Sequence, residues 1–240
     1  MPLLAVHGVT KRFRGVSALE GITLSVDAGE ALGIIGPNGA GKTTLYNVST
    51  GFVPADAGSV RLRGENIAGL APHRIVARGL ARTFQVPRPF RKLSVAAHVE
   101  VVPTSGGGGT GGGRAPARDV LALVGLADRA DEPAGTLSQG QLKRLEVARA
   151  LAAGPSLLLL DEPFAGLGPA ELPSFSALLR RLHAEGMTLV IIEHKLRELM
   201  PLVGRVAVLD YGAVIAQGPP DAVVRDPRVL AAYLGTPTHS

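Results

Sequence analysis

Short apolar runs, separated by polar, glycine- and proline-containing stretches, recur along most of the chain. Three runs, at residues 31–35, 157–160 and 188–192, are almost entirely apolar, which is typical of central parallel strands covered on both faces. Shorter or more polar runs predict edge or antiparallel strands. They lie at residues 3–6, 22–26, 59–62, 205–209 and 213–216. The pattern therefore predicts an α/β fold with a mostly parallel sheet and an added antiparallel sheet.

The strand signal stops between Gln85 and Leu137. Helices are predicted there around residues 95–101 and 115–124, joined by a glycine-rich tract at residues 105–113. We interpret this tract as a flexible, solvated loop, because its low-complexity composition cannot pack a core. A second phosphate-binding loop is disfavoured, since no Lys-Ser or Lys-Thr pair follows the glycines.

One glycine-rich segment matches the phosphate-binding pattern G-x-x-x-x-G-K-[ST] at every specified position. Its residues are Gly36, Pro37, Asn38, Gly39, Ala40, Gly41, Lys42 and Thr43. An apolar strand precedes it, and a helical stretch from Thr44 to near Gly51 follows, which argues against an ordinary surface turn. Backbone N–H groups and the helix N-terminus suit phosphates, Lys42 adds a full positive charge, and the Thr43 hydroxyl suits Mg²⁺. The segment predicts binding of a nucleoside triphosphate.

Two carboxylates, Asp161 and Glu162, follow the apolar run at residues 157–160. Ligands of open α/β sheets bind at the carboxyl ends of the strands. Asp161 is therefore predicted to hold Mg²⁺ through its water shell, and Glu162 to accept a proton from an attacking water. A surface acidic turn is the alternative, and the phosphate loop upstream favours the functional interpretation.

The segment Leu137-Ser138-Gln139-Gly140-Gln141 precedes a helical periodicity. Ser138 and Gly140 are thus expected at a helix N-terminus, which is a second candidate anion site. One chain that binds one nucleotide does not need two such sites. A head-to-tail dimer explains both, with Ser138 of each copy reaching the γ-phosphate held by the other. An ordinary serine N-cap is the alternative that the local pattern leaves open.

The composition narrows the function classes. Hydrophobic residues make up 46% of the 240 positions but aromatic residues only 4%, so the core must consist of Leu, Val, Ile and Ala. The absence of cysteine excludes disulfides, thiolate metal sites and cysteine nucleophiles. The net charge of +5 comes from scattered basic residues, which favours a solvated surface or a contact with anionic lipids over nucleic acid. Neither a membrane-spanning run nor a signal-peptide pattern is found, so a cytoplasmic chain is expected.

The order of five motifs resembles that of the ATP-binding subunits of ABC transporters. These are the phosphate loop, Gln85, residues 137–141, Asp161-Glu162 and His194. The resemblance spans nearly the whole chain. It implies a P-loop NTPase core formed by residues 1–84 and 155–240, with the antiparallel β subdomain. Residues 85–154 would then form a small, shortened helical subdomain within one domain of residues 1–240.

The resemblance also implies roles for single residues, with ATP and Mg²⁺ as cofactors. Phe13 would stack on adenine, although an isolated phenylalanine is more often a core residue. Gln85 would touch Mg²⁺ and the attacking water and link them to a membrane subunit. His194 would contact the γ-phosphate, although a lone histidine after a strand is usually structural. The residues 138, 140 and 141 (Ser, Gly and Gln) would bind the ATP held by a partner copy.

Three positions depart from the family pattern. Gln139 stands in the signature segment where many members have glycine. Gly168 stands where a dimer-contacting Asp or Asn is usual, and it offers no side-chain hydrogen bond. Lys195 follows the switch histidine where Asp is frequent.

Within the family, several stretches resemble importers of branched-chain or other hydrophobic amino acids. They are residues 79–85, 88–95, 192–194 and 231–235. This implies transmembrane permease subunits, an extracytoplasmic substrate-binding protein, and a homodimer or a heterodimer with a related ATPase at the cytoplasmic face of the membrane. Alternatives are a lipopolysaccharide-export ATPase, which shares residues 161–166, and a non-transport ATPase of translation or repair. A P-loop kinase or GTPase would explain neither Ser138 nor His194.

Overall fold

The computed structural model describes residues 1–102 and 116–234. The strands in these ranges are β1 (Leu4–Phe13), β2 (Val16–Val26), β3 (Ala31–Ile35), β4 (Ala57–Leu62), β5 (Glu65–Asn66), β6 (Leu80–Arg82), β7 (Leu157–Asp161), β8 (Thr188–Ile192), β9 (Arg205–Asp210) and β10 (Ala213–Gly218). The helices are α1 (Lys42–Ser49), α2 (Pro72–Val76), α3 (Val95–Glu100), α4 (Ala117–Val124), α5 (Gln139–Ala152), α6 (Leu172–Ala184), α7 (Leu196–Leu199), α8 (Pro220–Val223) and α9 (Pro227–Leu234).

The main sheet has six strands in the order β10-β9-β3-β8-β7-β6, and only β10 runs antiparallel to its neighbour. All residues of β3, β7 and β8 are buried. Alternate residues of β7 enter two different apolar clusters: Leu157 and Leu159 one, Leu158 and Leu160 the other. The sheet is therefore covered on both faces, which confirms the prediction from the three apolar runs.

The second sheet has four antiparallel strands in the order β2-β1-β4-β5, which confirms the added antiparallel sheet. The sequence prediction was wrong about strand length, because β1 and β2 have 10 and 11 residues. The pairing of β1 with β2 shifts register after Val6 and again after Val9, and Gly8 and Gly21 have positive φ. Such bulges interrupt the alternation of apolar and polar residues, so the pattern revealed only part of each strand.

The run at residues 205–209 was predicted to form an edge or an antiparallel strand. It forms β9, which is not at the edge but lies between β3 and β10, parallel to β3 and antiparallel to β10. The edge strand β6 was not predicted, since its three residues are too few to show a period.

The helical segments predicted at residues 95–101 and 115–124 correspond to α3 and α4, which pack on each other and on α5. Residue 115, the glycine-rich tract at 105–113 and Gly235 lie outside the described residues. Within the ranges described, no helix combines the length and the apolar character needed to cross a lipid bilayer.

The topology gathers the candidate site at one edge of the main sheet. The strands β3, β8, β7 and β6 are neighbours and run parallel, so their carboxyl ends lie together. The phosphate loop follows β3, His194 follows β8, Glu162 follows β7, and Gln85 follows β6. This edge is where an open α/β sheet binds its ligands.

Candidate nucleotide site

The phosphate loop (residues 36–43) is shaped by its glycines. Gly36, Gly39 and Gly41 all have positive φ, and a Cβ atom at Gly41 would lie 2.5 Å from the carbonyl oxygen of Ala18. Gly41 is also the N-cap of α1 and offers no side chain to the first N–H groups of that helix. These donors are therefore left for an anion.

A cavity of about 190 Å³ lies against the loop. It is lined by Ala18, Asn38, Gly39, Ala40, Gly41, Lys42, Thr43, Thr44 and Glu162. Most predicted phosphate-binding residues thus face one space together with the predicted proton acceptor.

Lys42 is almost buried, and its ammonium donates to the carbonyl oxygens of Gly36 (2.6 Å) and Pro37 (2.8 Å). Burial lowers the pKa of Lys42, while the charges of Glu162 and Asp161 oppose that shift. The Lys42 ammonium is therefore bound by carbonyl oxygens of its own loop, and it lies near the carboxylates of Asp161 and Glu162.

The two carboxylates have different surroundings. Asp161 ends β7 and is 4% exposed, and Arg82 lies 3.5 Å from its Oδ2. Burial raises the pKa of Asp161, and the charge of Arg82 opposes this effect. Glu162 comes next, with a left-handed φ of 44° that turns the chain, and its side chain is 23% exposed.

Three predicted residues, Gln85, Glu162 and His194, meet in what we call the polar cluster. Gln85 Nε2 donates to Glu162 Oε2 at 2.6 Å, and His194 Nδ1 lies 3.8 Å from Glu162 Oε1. His194 is 53% exposed in its side chain, so its imidazole is accessible to a ligand.

Glu193, which the sequence analysis missed, organises the loop that carries His194. It is fully buried, and its carboxylate accepts hydrogen bonds from the backbone N–H groups of Phe164 (3.1 Å), His194 (2.9 Å) and Lys195 (3.1 Å). His194 Nδ1 lies 3.3 Å from the same carboxylate. The Lys195 ammonium donates to the carbonyl oxygen of Phe164 at 3.0 Å. Together these bonds join the segments that follow β7 and β8.

Arg82, also missed, joins the nucleotide side of the site to the exposed segment after β6. Its guanidinium lies 4.8 Å from the Phe84 ring centroid and 5.0 Å from that of Phe52. It donates to Asn47 Oδ1 on α1 at 2.8 Å and is ion-paired with Asp161. A single arginine in a sequence gives no signal of these partners, which lie far apart in the chain.

Ser138 caps α5, as the alternative interpretation expects. Its Oγ accepts from the Gln141 N–H (3.2 Å), and Gln141 Oε1 accepts from the Ser138 N–H (2.9 Å). The Ser138 hydroxyl also donates to Glu171 Oε1 (3.3 Å), and the Gly168 N–H donates to Glu171 Oε2 (3.1 Å). A Cβ atom at Gly140 would overlap Glu171. None of these residues belongs to the lining of the phosphate-loop cavity in the described part of the chain.

Phe13 ends β1 and is 46% exposed, so it is not a core residue. The ammonium of Lys11 lies 5.3 Å from its ring centroid. An exposed ring of this kind can stack on a flat ligand, and the stacking role stays a prediction.

The C-terminal helix α9 returns to the phosphate loop. The phenol of Tyr233 is hydrogen-bonded to the backbone of Gly36, and burial raises the pKa of Tyr233. A second cavity, of about 550 Å³, lies between the loop and α9. No residue of the polar cluster lines this second cavity, whereas Glu162 lines the cavity next to Lys42, so we assign the nucleotide to the smaller one.

Comparisons with known proteins identify the family of this chain. Residues 19–165 match the family model described as ABC transporter. Residues 213–239 match that of the branched-chain amino acid ATP-binding cassette transporter. The chain is 38% identical, over 98% of its length and 98% of the relative, to the high-affinity branched-chain amino acid transport ATP-binding protein BraF of Pseudomonas aeruginosa.

The similar solved structures include the following two. A nucleotide-free ATP-binding cassette from an ABC transporter is 32% identical with a TM-score of 0.88, covering 98% of this chain and 100% of the other. The ATP-binding cassette MJ0796, a dimer in a post-hydrolysis state bound to ADP and Pi, is 25% identical with a TM-score of 0.78, covering 90% and 98%. These relatives do not favour the lipopolysaccharide-export or translation and repair alternatives. The chain belongs to the ABC transporter family, as an ATP-binding and ATP-hydrolysing subunit whose relatives include branched-chain amino acid transport proteins.

Proposed function

We propose that this subunit hydrolyses ATP to energise the uptake of branched-chain or other hydrophobic amino acids. The observation that carries the proposal is the hydrogen bond between Gln85 and Glu162 beside Lys42 and the phosphate-loop cavity. The substrate class comes from the names of the relatives and from the C-terminal match. We also propose that residues 1–84 and 155–240 form the nucleotide-binding core and that residues 85–154 form a helical subdomain.

The phosphates of ATP would bind the N–H groups of the phosphate loop and of the first turn of α1. The Lys42 ammonium would then leave the carbonyl oxygens of its own loop and bind the phosphates. The donor set for Mg²⁺ is the hydroxyl of Thr43, the amide of Gln85 and the carboxylate of Asp161. One carboxylate, a hydroxyl and phosphate oxygens suit this ion, which is normally held by few protein ligands. When bound, Mg²⁺ would neutralise charge on the phosphates.

Hydrolysis would proceed through the polar cluster. Glu162 accepts the proton of the attacking water, and Gln85 orients that water and the carboxylate. His194 and Lys42 face the charge that develops on the transferred phosphoryl group. Glu193 supports His194 by accepting the N–H groups on either side of its Cα atom.

Two copies would close head to tail over two ATP molecules. Ser138, Gly140 and Gln141 of one copy would contact the ATP held by the phosphate loop of the other, while Phe13 stacks on adenine. The dimeric relative bound to ADP and Pi supports this arrangement. Glu171, which bonds Ser138 in the single chain, would have to give way to phosphate.

The surface next to Gln85 would dock a permease at the cytoplasmic face of the membrane. A groove of about 220 Å³ runs between Phe52, α2 and α5, and Arg82 and Phe84 form part of its wall. Val86 and Phe90 are 61% and 69% exposed in the following segment. A permease segment bound there would press on the residues adjoining Gln85.

The test is affinity purification of the tagged chain from detergent-solubilised native membranes, followed by reconstitution of the purified complex in vesicles. We expect permease subunits to co-purify, either with or without a second ATPase, and ATP hydrolysis to rise when a binding protein loaded with leucine is supplied. Recovery of ribosomal or repair proteins in place of permeases would contradict the proposal.

A further inference from the structure

A buried lysine on α5 contacts two residues of the polar cluster. Lys143 is 3% exposed, and its ammonium donates to the backbone carbonyl oxygens of Gln85 (2.6 Å) and Glu162 (3.1 Å). Burial lowers the pKa of Lys143, while nearby carboxylates, Glu193 foremost, favour its charged form. A buried ammonium that binds two backbone carbonyls fixes the positions of both segments.

The two carbonyl groups that Lys143 binds belong to backbone segments that its ammonium stabilises. Glu162 has a φ of 44°, a left-handed conformation that non-glycine residues rarely adopt. Its N–H donates to the carbonyl oxygen of Ile192 at 2.9 Å, and its own carbonyl accepts from Lys143. The strained residue is thus held on both sides, and its side chain is then free to meet Gln85.

Gln85 lies between β6 and α3, in a stretch with no regular secondary structure among residues 85–94. Its carbonyl oxygen is held by Lys143, and its side-chain amide by Glu162. One ammonium therefore sets the two backbones between which the amide–carboxylate hydrogen bond forms.

Lys143 lies five residues after Ser138 on the same helix, and the N-terminus of that helix is proposed above to contact the partner's ATP. A rigid-body shift of α5 would move Lys143 and its N-cap Ser138 together. We infer that Lys143 is a positioning residue, which aligns Gln85 and Glu162 and makes their alignment depend on where α5 lies. This inference rests on the functions proposed above for Gln85 and Glu162.

A simple anchoring function for α5 is the competing explanation, and the next residue provides a matched control. Arg144 also fixes α5, by donating to the carbonyl oxygen of Val124 (2.8 Å) and to Ser174 Oγ (3.0 Å). Its partners belong to α4 and α6, away from the polar cluster. Removing either cation loosens the helix, but only the loss of Lys143 frees the backbone of Glu162.

The experiment compares Lys143→Met, Lys143→Arg and Arg144→Met in the full chain. The quantities measured are the kcat and KM of ATP hydrolysis, the Kd for ATP and the Tm. We expect Lys143→Met to lower kcat about 10- to 100-fold, as a misplaced hydrolytic group does. The Kd for ATP should stay within about twofold, because an interaction that acts only in the transition state lowers kcat and not binding. Arg144→Met should lower the Tm and leave kcat near the parental value.

Lys143→Arg keeps the positive charge, but the planar guanidinium places its N–H donors differently from the ammonium. Its kcat should therefore lie between those of the parent and of Lys143→Met. If Lys143→Met does not fold, a reduced kcat of Lys143→Arg at unchanged Tm supports the inference. A parental kcat in both variants, or equal losses of kcat in Lys143→Met and Arg144→Met, would overturn it. The Glu162→Gln variant distinguishes a failure of this inference from a failure of the proposed function. An active Glu162→Gln enzyme refutes the proposed hydrolytic mechanism, whatever the effect of the Lys143 substitutions.

Discussion

Gln85 donates its side-chain amide to the carboxylate of Glu162 at 2.6 Å, across 77 residues of sequence. The bond links the segment after β6, which lies beside the exposed groove, to the residue that follows β7. We therefore expect movement of the groove wall to change the surroundings of the proposed proton acceptor. This relationship would give a physical route from a docked permease to ATP hydrolysis.

Replacing Glu162 by Gln should abolish hydrolysis and leave binding intact. The amide keeps the size of the side chain but cannot accept a proton, so kcat should fall about 10²- to 10⁴-fold. The measurement is phosphate release at saturating ATP, together with the Kd for ATP. Glu65→Gln is the control, since Glu65 is exposed and pairs with Arg78 far from the cluster. Parental phosphate release by Glu162→Gln would refute the general-base function.

Replacing Ser138 by Ala should weaken the ATP-dependent dimer and spare ATP binding by the single chain. In the proposed arrangement, Ser138 contacts only the nucleotide of the partner copy. Losing one hydrogen bond to phosphate should raise the Kd for dimerisation about 5- to 10-fold. Sedimentation of the chain with ATP in a Glu162→Gln background measures the dimer.

Ser94→Ala is the matched control for this substitution, because Ser94 caps α3 as Ser138 caps α5. Both changes should cost about 1 kcal/mol of stability through the lost cap. Only Ser138→Ala should affect the dimer. A weaker affinity of the Ser138→Ala single chain for ATP would instead indicate a contact within one copy.

Replacing Glu193 by Gln should destabilise the fold and slow hydrolysis together. The buried carboxylate accepts three backbone N–H groups, and an amide would turn a donor towards some of them. A loss of about 1–3 kcal/mol is expected in the free energy of unfolding, measured with urea. Phosphate release should fall as well, since His194 loses its support. Glu185→Gln, on the exposed end of α6, should change neither quantity.

The ion pair of Glu30 and Arg205 should make stability depend on pH. Arg205 donates to both carboxylate oxygens, at 2.7 and 3.1 Å. Burial by itself would raise the pKa of Glu30, but the hydrogen bonds from Arg205 and from the Asp27 backbone outweigh it and lower the pKa below 4.5. The stabilisation is thus complete above the pKa of the unfolded chain and is lost as pH falls below about 4.5.

The pair is partly exposed, so its contribution should stay below about 1 kcal/mol. Comparing the urea unfolding of the parent and Glu30→Gln at neutral and at acidic pH checks this. The difference between the two free energies of unfolding should shrink as pH falls. A difference that stays constant with pH would contradict the assignment.

The parts of the site that the sequence predicted are those encoded in local patterns. The phosphate loop, the capped helix after Ser138 and the apolar strands need only neighbouring residues, and all were placed correctly. The lengths of β1 and β2 were not predicted, since bulges near Gly8 and Gly21 break the period.

Lys143, Glu193 and Arg82 were missed for a different reason. Lys143 and Arg82 bond residues far along the chain: Gln85 is 58 residues from Lys143, and Asn47 is 35 residues from Arg82. Glu193 instead accepts from backbone N–H groups, including those of the next two residues. Backbone carbonyl and N–H groups occur at almost every residue, so such contacts carry no residue-type signal. Only the sheet order, which sets β6, β7 and β8 side by side, reveals them.

The left-handed backbone conformation of Glu162 favours ATP hydrolysis at the expense of thermal stability. Glycine would adopt the φ of 44° without the cost of about 1 kcal/mol or more that a side chain incurs there. A Glu162→Gly chain should therefore tolerate heat better and yet be unable to hydrolyse ATP. Selection for thermal stability alone would favour glycine at position 162, and selection for transport would favour glutamate. The conformation of a single residue thus marks where this protein gives up stability for activity.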